Sequence, residues 1–168
     1  RHFMDRLHAE HCRLRRHGQP VSVMLLDLDR FKAVNDRHGH EAGDRVLVLV
    51  AATLTACSRA SDVVARMGGE EFAMLLPQTD AAGAMRLAER VRRAIADAGP
   101  ADGASVPEGV TASIGVASAE RPAREWEDLL RRADEALYAA KRGGRNAVVG
   151  PYDAGAAGRQ EDEAPDGV

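Results

Sequence analysis

The sequence predicts a mixed α/β or α+β domain, with helices alternating with strands and a central hairpin that rules out a purely parallel sheet. Three observations carry that expectation. Val21 to Asp27 (Val-Ser-Val-Met-Leu-Leu-Asp) is a short, β-branched-rich run of the kind that forms a buried strand. Val63-Val64-Ala65 and Ala73-Met74-Leu75-Leu76 flank Arg66-Met67-Gly68-Gly69-Glu70-Glu71-Phe72. Two apolar runs joined through Gly-Gly read as a hairpin, because glycine reaches the positive φ values of tight turns. From Trp126 to Lys141, apolar residues recur at Leu129, Leu130, Ala133, Leu137 and Ala140, the spacing of one helix face.

The remaining elements follow in order. Phe3, Leu7, His11 and Leu14 recur at helical spacing within residues 1–17, and Gly18 and Pro20 end that helix. After the first strand, residues 29–39 read as a connection. A helix is expected from Glu41 to Cys57 on the face of Val46, Leu47, Val50 and Leu54. Beyond the hairpin come a helix over Asp80 to Ala98, a loop opened by Gly99-Pro100, and a strand from Val110 to Ala117. Ala147-Val148-Val149 adds a short edge strand. There is no internal repeat. His8, His11 and Cys12 share a helical face at a spacing found in zinc sites, but they lack a fourth ligand, and a solvated face accounts for them.

Composition narrows the function classes. A chain of 168 residues is expected to form one domain, here residues 1–150, able to bury about two-thirds of its unfolded surface. With 45% hydrophobic and 29% charged residues it falls in the soluble globular class. No apolar run approaches the roughly 18 residues of a membrane span, and no signal peptide is recognisable. Two cysteines, Cys12 and Cys57, suggest no disulfide framework and point to a reducing cytoplasm. The net charge of −3 divides unevenly: residues 151–168 hold five acids against Arg159, a net of −4, leaving +1 for the rest. That Gly-, Ala- and Pro-rich tail reads as disordered. A near-neutral body argues against nucleic acid or an anionic membrane as partner.

The chemistry concentrates in carboxylates. Asp27 and Asp29 sit at the end of the first strand, one residue apart, and would share a face if the strand continued that far. Glu70 and Glu71 stand at the hairpin tip, where adjacent anions are tolerated when water or a cation screens them. Asp27 with Glu70 and Glu71 has the hard oxygen donors of a Mg²⁺ site completed by substrate phosphates. Lys32, on the turn after the strand, and Lys141 and Arg145, at the end of the last helix, are cations that can face phosphates. The last two also suit the negative end of a helix dipole. Asn35 and Asp44 can read a base edge or serve as turn and cap residues.

Taken together, these segments resemble the GGDEF family, the diguanylate cyclases. The matching stretches are Leu26-Asp27-Leu28-Asp29-Arg30-Phe31-Lys32, Asn35-Asp36, Gly39-His40, Gly43-Asp44, Arg66 to Phe72, Ser113-Ile114-Gly115-Val116, Ala133 to Lys141, and Gly144-Arg145-Asn146. The resemblance implies a palm-like, mainly antiparallel sheet flanked by helices, similar to class III nucleotide cyclases. It implies condensation of two GTP into cyclic di-GMP with release of two pyrophosphates. By position, Asp27, Glu70 and the Leu28 carbonyl would hold Mg²⁺ (or Mn²⁺), with Glu71 beside them and Glu70 assisting deprotonation of the attacking 3′-hydroxyl. Asn35 and Asp44 would recognise guanine beside Phe31. Lys32, Lys141, Arg145 and the turn backbone would hold phosphates, and Gly68 and Gly69 would let the nucleotide approach. Glu at the motif's third position keeps the carboxylate, and Asp44 favours guanine as the base.

Arg59-Ala60-Ser61-Asp62, with five residues between Asp62 and Gly68, matches the family's inhibitory Arg-x-x-Asp pattern, to which Arg90 would add a further arginine. Arginine forks onto phosphate or a guanine edge, and aspartate accepts from guanine N–H groups. The chain opens past the family's usual Asp-x-Leu-Thr-Gly-Leu-x-Asn segment, so an upstream sensory or dimerising module is expected. Each subunit would hold one GTP, making a homodimer the catalytic unit. The rival reading is a binding module that only senses GTP or cyclic di-GMP. The intact Gly68-Gly69-Glu70-Glu71-Phe72 and Asp27 favour the enzyme.

Overall fold

The computed structural model describes residues 2–98, 107, 109–119 and 126–151. The Gly99-Pro100 loop opening and the acidic tail beyond residue 151 lie outside them. The chain runs α1 (His2–His17), β1 (Val21–Leu28), α2 (Phe31–His38), α3 (His40–Cys57), β2 (Val63–Gly68), β3 (Glu71–Pro77), α4 (Ala81–Ala96), β4 (Ala112–Ala119), α5 (Glu127–Arg142) and β5 (Val148–Val149).

The strands form one sheet in the order β2-β3-β1-β4-β5. β1 pairs antiparallel with β3 on one side and β4 on the other, β2 pairs antiparallel with β3, and β5 runs parallel to β4. This is the mixed, mainly antiparallel architecture, flanked by helices.

β1 is central because both of its faces are covered. Met24, Leu26 and Leu28 join a core with Phe31, Val46, Val50, Leu54, Val91 and Ile95 from α2, α3 and α4. Val21 and Val23, on the opposite face, join Phe3, Leu7, Leu14, Leu129 and Ala133 from α1 and α5. A strand buried on both faces is continuously apolar rather than alternating. Each fully buried Leu or Val stabilises the fold by about 1.5–3 kcal/mol. The period of two then puts Asp27, an odd position like Val21 and Val23, on the face covered by α5.

Several boundaries differ from expectation. The connection at residues 29–39 contains the helix α2, which buries only Phe31 and has no side-chain cap: Arg30 enters it at φ 55. With so little apolar periodicity, the sequence carries no helix signal there. β4 starts at Ala112 rather than Val110, since the ladder with β1 begins at the Leu28↔Ala112 pair. α4 begins where Asp80 Oδ1 accepts from the Gly83 N–H at 2.7 Å, an N-cap that satisfies one free helix donor. It ends at Ala96, short of the expected Ala98. His11 is buried with the apolar face of α1, while the His8 ring nitrogen and Cys12 Sγ lie 3.9 Å apart on its exposed side, so the three do not share a solvated face.

Candidate active site

The end of β1 and the tip of the β2–β3 hairpin form one edge of the sheet. The register sets Asp27 directly opposite Glu71 on β3 and opposite Ser113 on β4. Direct cross-strand partners share a face, so Glu71 stands on the same side as Asp27. The Glu70 carbonyl accepts from the Leu28 N–H at 3.3 Å, tying the hairpin tip to the end of β1. The tip itself turns at Gly69, φ 23, and nothing lies within 4 Å of a Cβ placed there. Arg66 clamps the turn: its Nε and Nη2 donate to the Gly69 carbonyl at 3.0 and 2.7 Å.

Asp27 is 8% exposed and pairs with Lys141, whose Nζ lies 2.8 Å from Oδ2. Lys141 reaches it from the last turn of α5, the helix covering that face. Asp29 does not join Asp27. β1 ends at Leu28, and the Asp29 carboxylate accepts from Thr111 Oγ1 at 2.8 Å, Ser113 Oγ at 2.7 Å and the Asn146 N–H at 2.9 Å.

Phe31 is buried, while Lys32 lies exposed in the first turn of α2, whose first N–H groups have no partners within the helix. Asn35, one turn on, has a buried Oδ1 with no hydrogen-bond partner. It faces Gly43 of α3: a Cβ there would meet Asn35 Oδ1 at 1.9 Å and the Phe31 ring at 3.2 Å. Glycine is therefore what lets α2 and α3 close around the amide. Asp44 is the next residue on α3, exposed, lining a groove with Leu47, Val64, Arg66 and Phe72. Arg145 lies beyond α5 with φ 67, exposed beside Asn146.

Arg59, Asp62 and Arg90 gather at another corner. Asp62 Oδ2 accepts from the Arg59 N–H at 2.8 Å, and Arg90, on α4, donates to the Cys57 carbonyl at 2.9 Å, two residues before Arg59. On the same helix Arg92 links Glu89 to the other corner, through Nη1 to Asn146 Oδ1 at 2.6 Å. The Arg92 guanidinium, with Arg93 beside it, holds the Glu89 carboxyl down at about 2, against the opposing effect of partial burial. The side chains of Asp29, Arg66, Arg92 and Asn146 carry no role legible in the sequence. Their contacts join residues far apart in the chain or close a turn, which spacing does not reveal.

Comparison with known proteins places this geometry. The family model described as "Diguanylate cyclase, GGDEF domain" matches residues 1–147. Over 135 residues the chain is 47% identical to the response regulator PleD of Caulobacter vibrioides, covering 79% of this chain and 30% of that protein. Over 132 residues it is 42% identical to diguanylate cyclase A of Treponema denticola, covering 78% and 35%. The chain thus spans about a third of the length of these curated relatives. Among solved structures, the GGDEF domain of DgcB from Caulobacter crescentus, in complex with c-di-GMP, superposes with a TM-score of 0.81 at 33% identity, covering 88% of this chain and 87% of that one. The active GGEEF domain of a diguanylate cyclase from Vibrio cholerae gives 0.78 at 35%, covering 84% and 89%. The fold, the hairpin motif and the family match agree, and the chain belongs to the GGDEF family.

Proposed function

We propose that the chain is the catalytic domain of a diguanylate cyclase, joining two GTP into cyclic di-GMP across a pair of subunits and restrained by its own product. The observation that carries this reading is the meeting of Asp27, Glu71 and Lys141 at the sheet edge tied to the Gly68-Gly69-Glu70-Glu71 tip. Opposed carboxylates with a cation in reach suit a charged substrate bound with metal.

The donors fit Mg²⁺, and Mn²⁺ equally: Asp27 and Glu70 carboxylates and the Leu28 carbonyl are hard oxygens. Among the described residues no three of His, Cys, Asp and Glu converge, and a Mg²⁺ completed by substrate phosphates needs no such cage. Bound there, the metal would supply charge neutralisation for the reacting phosphate and pyrophosphate.

The chain's own groups do the rest. The Asn35 amide and the Asp44 carboxylate pair with the edge of guanine, with Phe31 seating the α2–α3 pair that carries them. Lys32, Lys141, Arg145 and the N–H groups at the start of α2 hold the triphosphate. Gly68 and Gly69 leave its approach open. Glu70, with Glu71 beside it, takes the proton as a ribose 3′-oxygen bonds to the α-phosphorus of the partner's nucleotide. The bond from that phosphorus to pyrophosphate breaks, and pyrophosphate leaves with its electron pair. A second such transfer closes the ring. In-line transfer of this kind depends on positioning and charge neutralisation more than on a covalent protein group. Each subunit brings one GTP, so the homodimer is the working unit, held by a sensory or dimerising module outside this chain.

Arg59, Asp62 and Arg90 form the site for returning product. Asp62 is already fixed by the Arg59 N–H, and Arg90 is drawn to the same corner through Cys57. Two substitutions test both halves in a dimerised fusion supplied with GTP and Mg²⁺. Glu70→Ala should abolish synthesis and leave cyclic di-GMP binding intact, and Arg59→Ala should do the reverse. Synthesis surviving Glu70→Ala, or feedback surviving Arg59→Ala, contradicts the assignment.

A further inference from the structure

The proposed chemistry uses Asp27 but leaves the Asp29 carboxylate without a task, although it is about as buried and accepts three hydrogen bonds. Both of its oxygens are occupied, by Thr111, Ser113 and the Asn146 N–H, and its own N–H donates to the Thr111 carbonyl at 2.9 Å. Joining β1 to β4 does not require a charge, since backbone pairing already runs to Leu28↔Ala112. What the carboxylate adds is a hold on the turn after α5.

That turn is unusual. Arg145 and Asn146 stand in succession at φ 67 and 44, a region that residues with a Cβ rarely adopt and that persists where surroundings enforce it. The enforcement is visible on both sides of Asn146. Asp29 Oδ2 accepts from its backbone N–H, and Arg92 Nη1 donates to its side-chain oxygen at 2.6 Å. Arg145, immediately before it, is bonded back to the Ala140 carbonyl at 3.1 Å. Among the described residues, Arg145 lines a cleft of about 450 Å³ with Arg30, Arg37 and the acid Asp29, whose oxygens are already taken. Such a cleft favours an anion.

We infer that Asp29 is a positioning residue for phosphate: by gripping Asn146 together with Arg92, it fixes the left-handed turn that aims Arg145 at the triphosphate. The inference rests on the nucleotide reading above. A carboxylate suits this work better than an amide, because it accepts on both oxygens at once, and hydrogen bonds to a charged acceptor are about twice as strong as neutral ones.

The test is binding of guanosine 5′-[αβ-methylene]triphosphate with Mg²⁺ by calorimetry, and of guanosine by NMR titration, to the full chain. Asp29→Ala should weaken triphosphate binding about tenfold, about 1.4 kcal/mol, and leave guanosine binding within about twofold. Asp29→Asn, which keeps one acceptor oxygen for Thr111 and Asn146, should recover part of the loss. Arg145→Ala should cost a similar factor. Adding Asp29→Ala to it should cost little more, because a residue acting through Arg145 has nothing left to position. If the wild-type chain does not bind the triphosphate, the nucleotide reading itself falls. If it binds and Asp29→Asn matches wild type, or the two losses multiply, or guanosine suffers equally, the positioning role alone is overturned. Asp29→Asn carries the test should the alanine variant unfold.

Discussion

Lys141 Nζ lies 2.8 Å from Asp27 Oδ2, so the cation assigned to phosphate and the carboxylate assigned to metal neutralise one another in the protein alone. The pair is partly sheltered, with side-chain exposures of 34% and 12%. A carboxylate left alone at the end of a buried strand loses charge compensation that water replaces poorly. On the proposed function, a divalent cation and Lys141 compete for Asp27, and binding nucleotide with metal would free the ammonium for phosphate.

Lys141→Ala should consequently lower stability by about 1–3 kcal/mol, the usual result of stranding a buried hydrogen-bonding partner. Millimolar Mg²⁺ should restore part of that loss, because the metal takes the place of the ammonium, while wild type responds little. Thermal melts with and without Mg²⁺ read the difference. Equal responses in the two proteins would show that Asp27 does not choose between the two cations.

Gly43→Ala probes the proposed guanine pocket without touching a charged group. The added methyl would stand 1.9 Å from Asn35 Oδ1 and 3.2 Å from the Phe31 ring, so the amide must move or α2 must shift. Overpacking of this kind costs about 1–3 kcal/mol. The expected functional result is at least a tenfold fall in GTP affinity, about 1.4 kcal/mol, and a narrower preference for GTP over ATP. Competition binding checks both, and unchanged selectivity would remove Asn35 from base recognition.

How much of this was legible in the sequence depends on the range of each interaction. The Val21–Asp27 strand and the α5 helix announce themselves locally, by a continuous apolar run and by Leu129, Ala133, Leu137 and Ala140 on one face. The Gly68-Gly69 turn was equally plain. α2 was hidden, because a helix of eight residues that buries only Phe31 has almost no apolar period. The spacing of Asp27 and Asp29 suggested a shared face, but the strand stops at Leu28. The partners of Asp29 lie 82, 84 and 117 residues away, where no local pattern points to them. Arg92 is a similar case: its contact with Asn146 spans 54 residues.

The α4 network gives an acid-range prediction. Glu89 titrates at about 2 rather than 4.5, chiefly through its hydrogen bond to Arg92, so its carboxylate stabilises the fold fully above its ordinary value. That contribution is lost as pH falls from 4.5 through about 2. Glu89 and Arg93 are substantially exposed, so the effect is modest and screened by salt. Glu89→Gln should start less stable at neutral pH and lose less over that acid window than wild type. Parallel melting curves for the two proteins would mean that Glu89 does not anchor Arg92.

On the proposed function, two copies of the site at Asp27 and Glu70 turn GTP into cyclic di-GMP. Its most direct test is chromatographic analysis of products after the chain, fused to a dimerising segment, is incubated with GTP and Mg²⁺. The expected product is cyclic di-GMP, accompanied by two pyrophosphates for each molecule formed. Measurable GTP binding by that fusion with no cyclic di-GMP would contradict it and leave a domain that only binds the nucleotide.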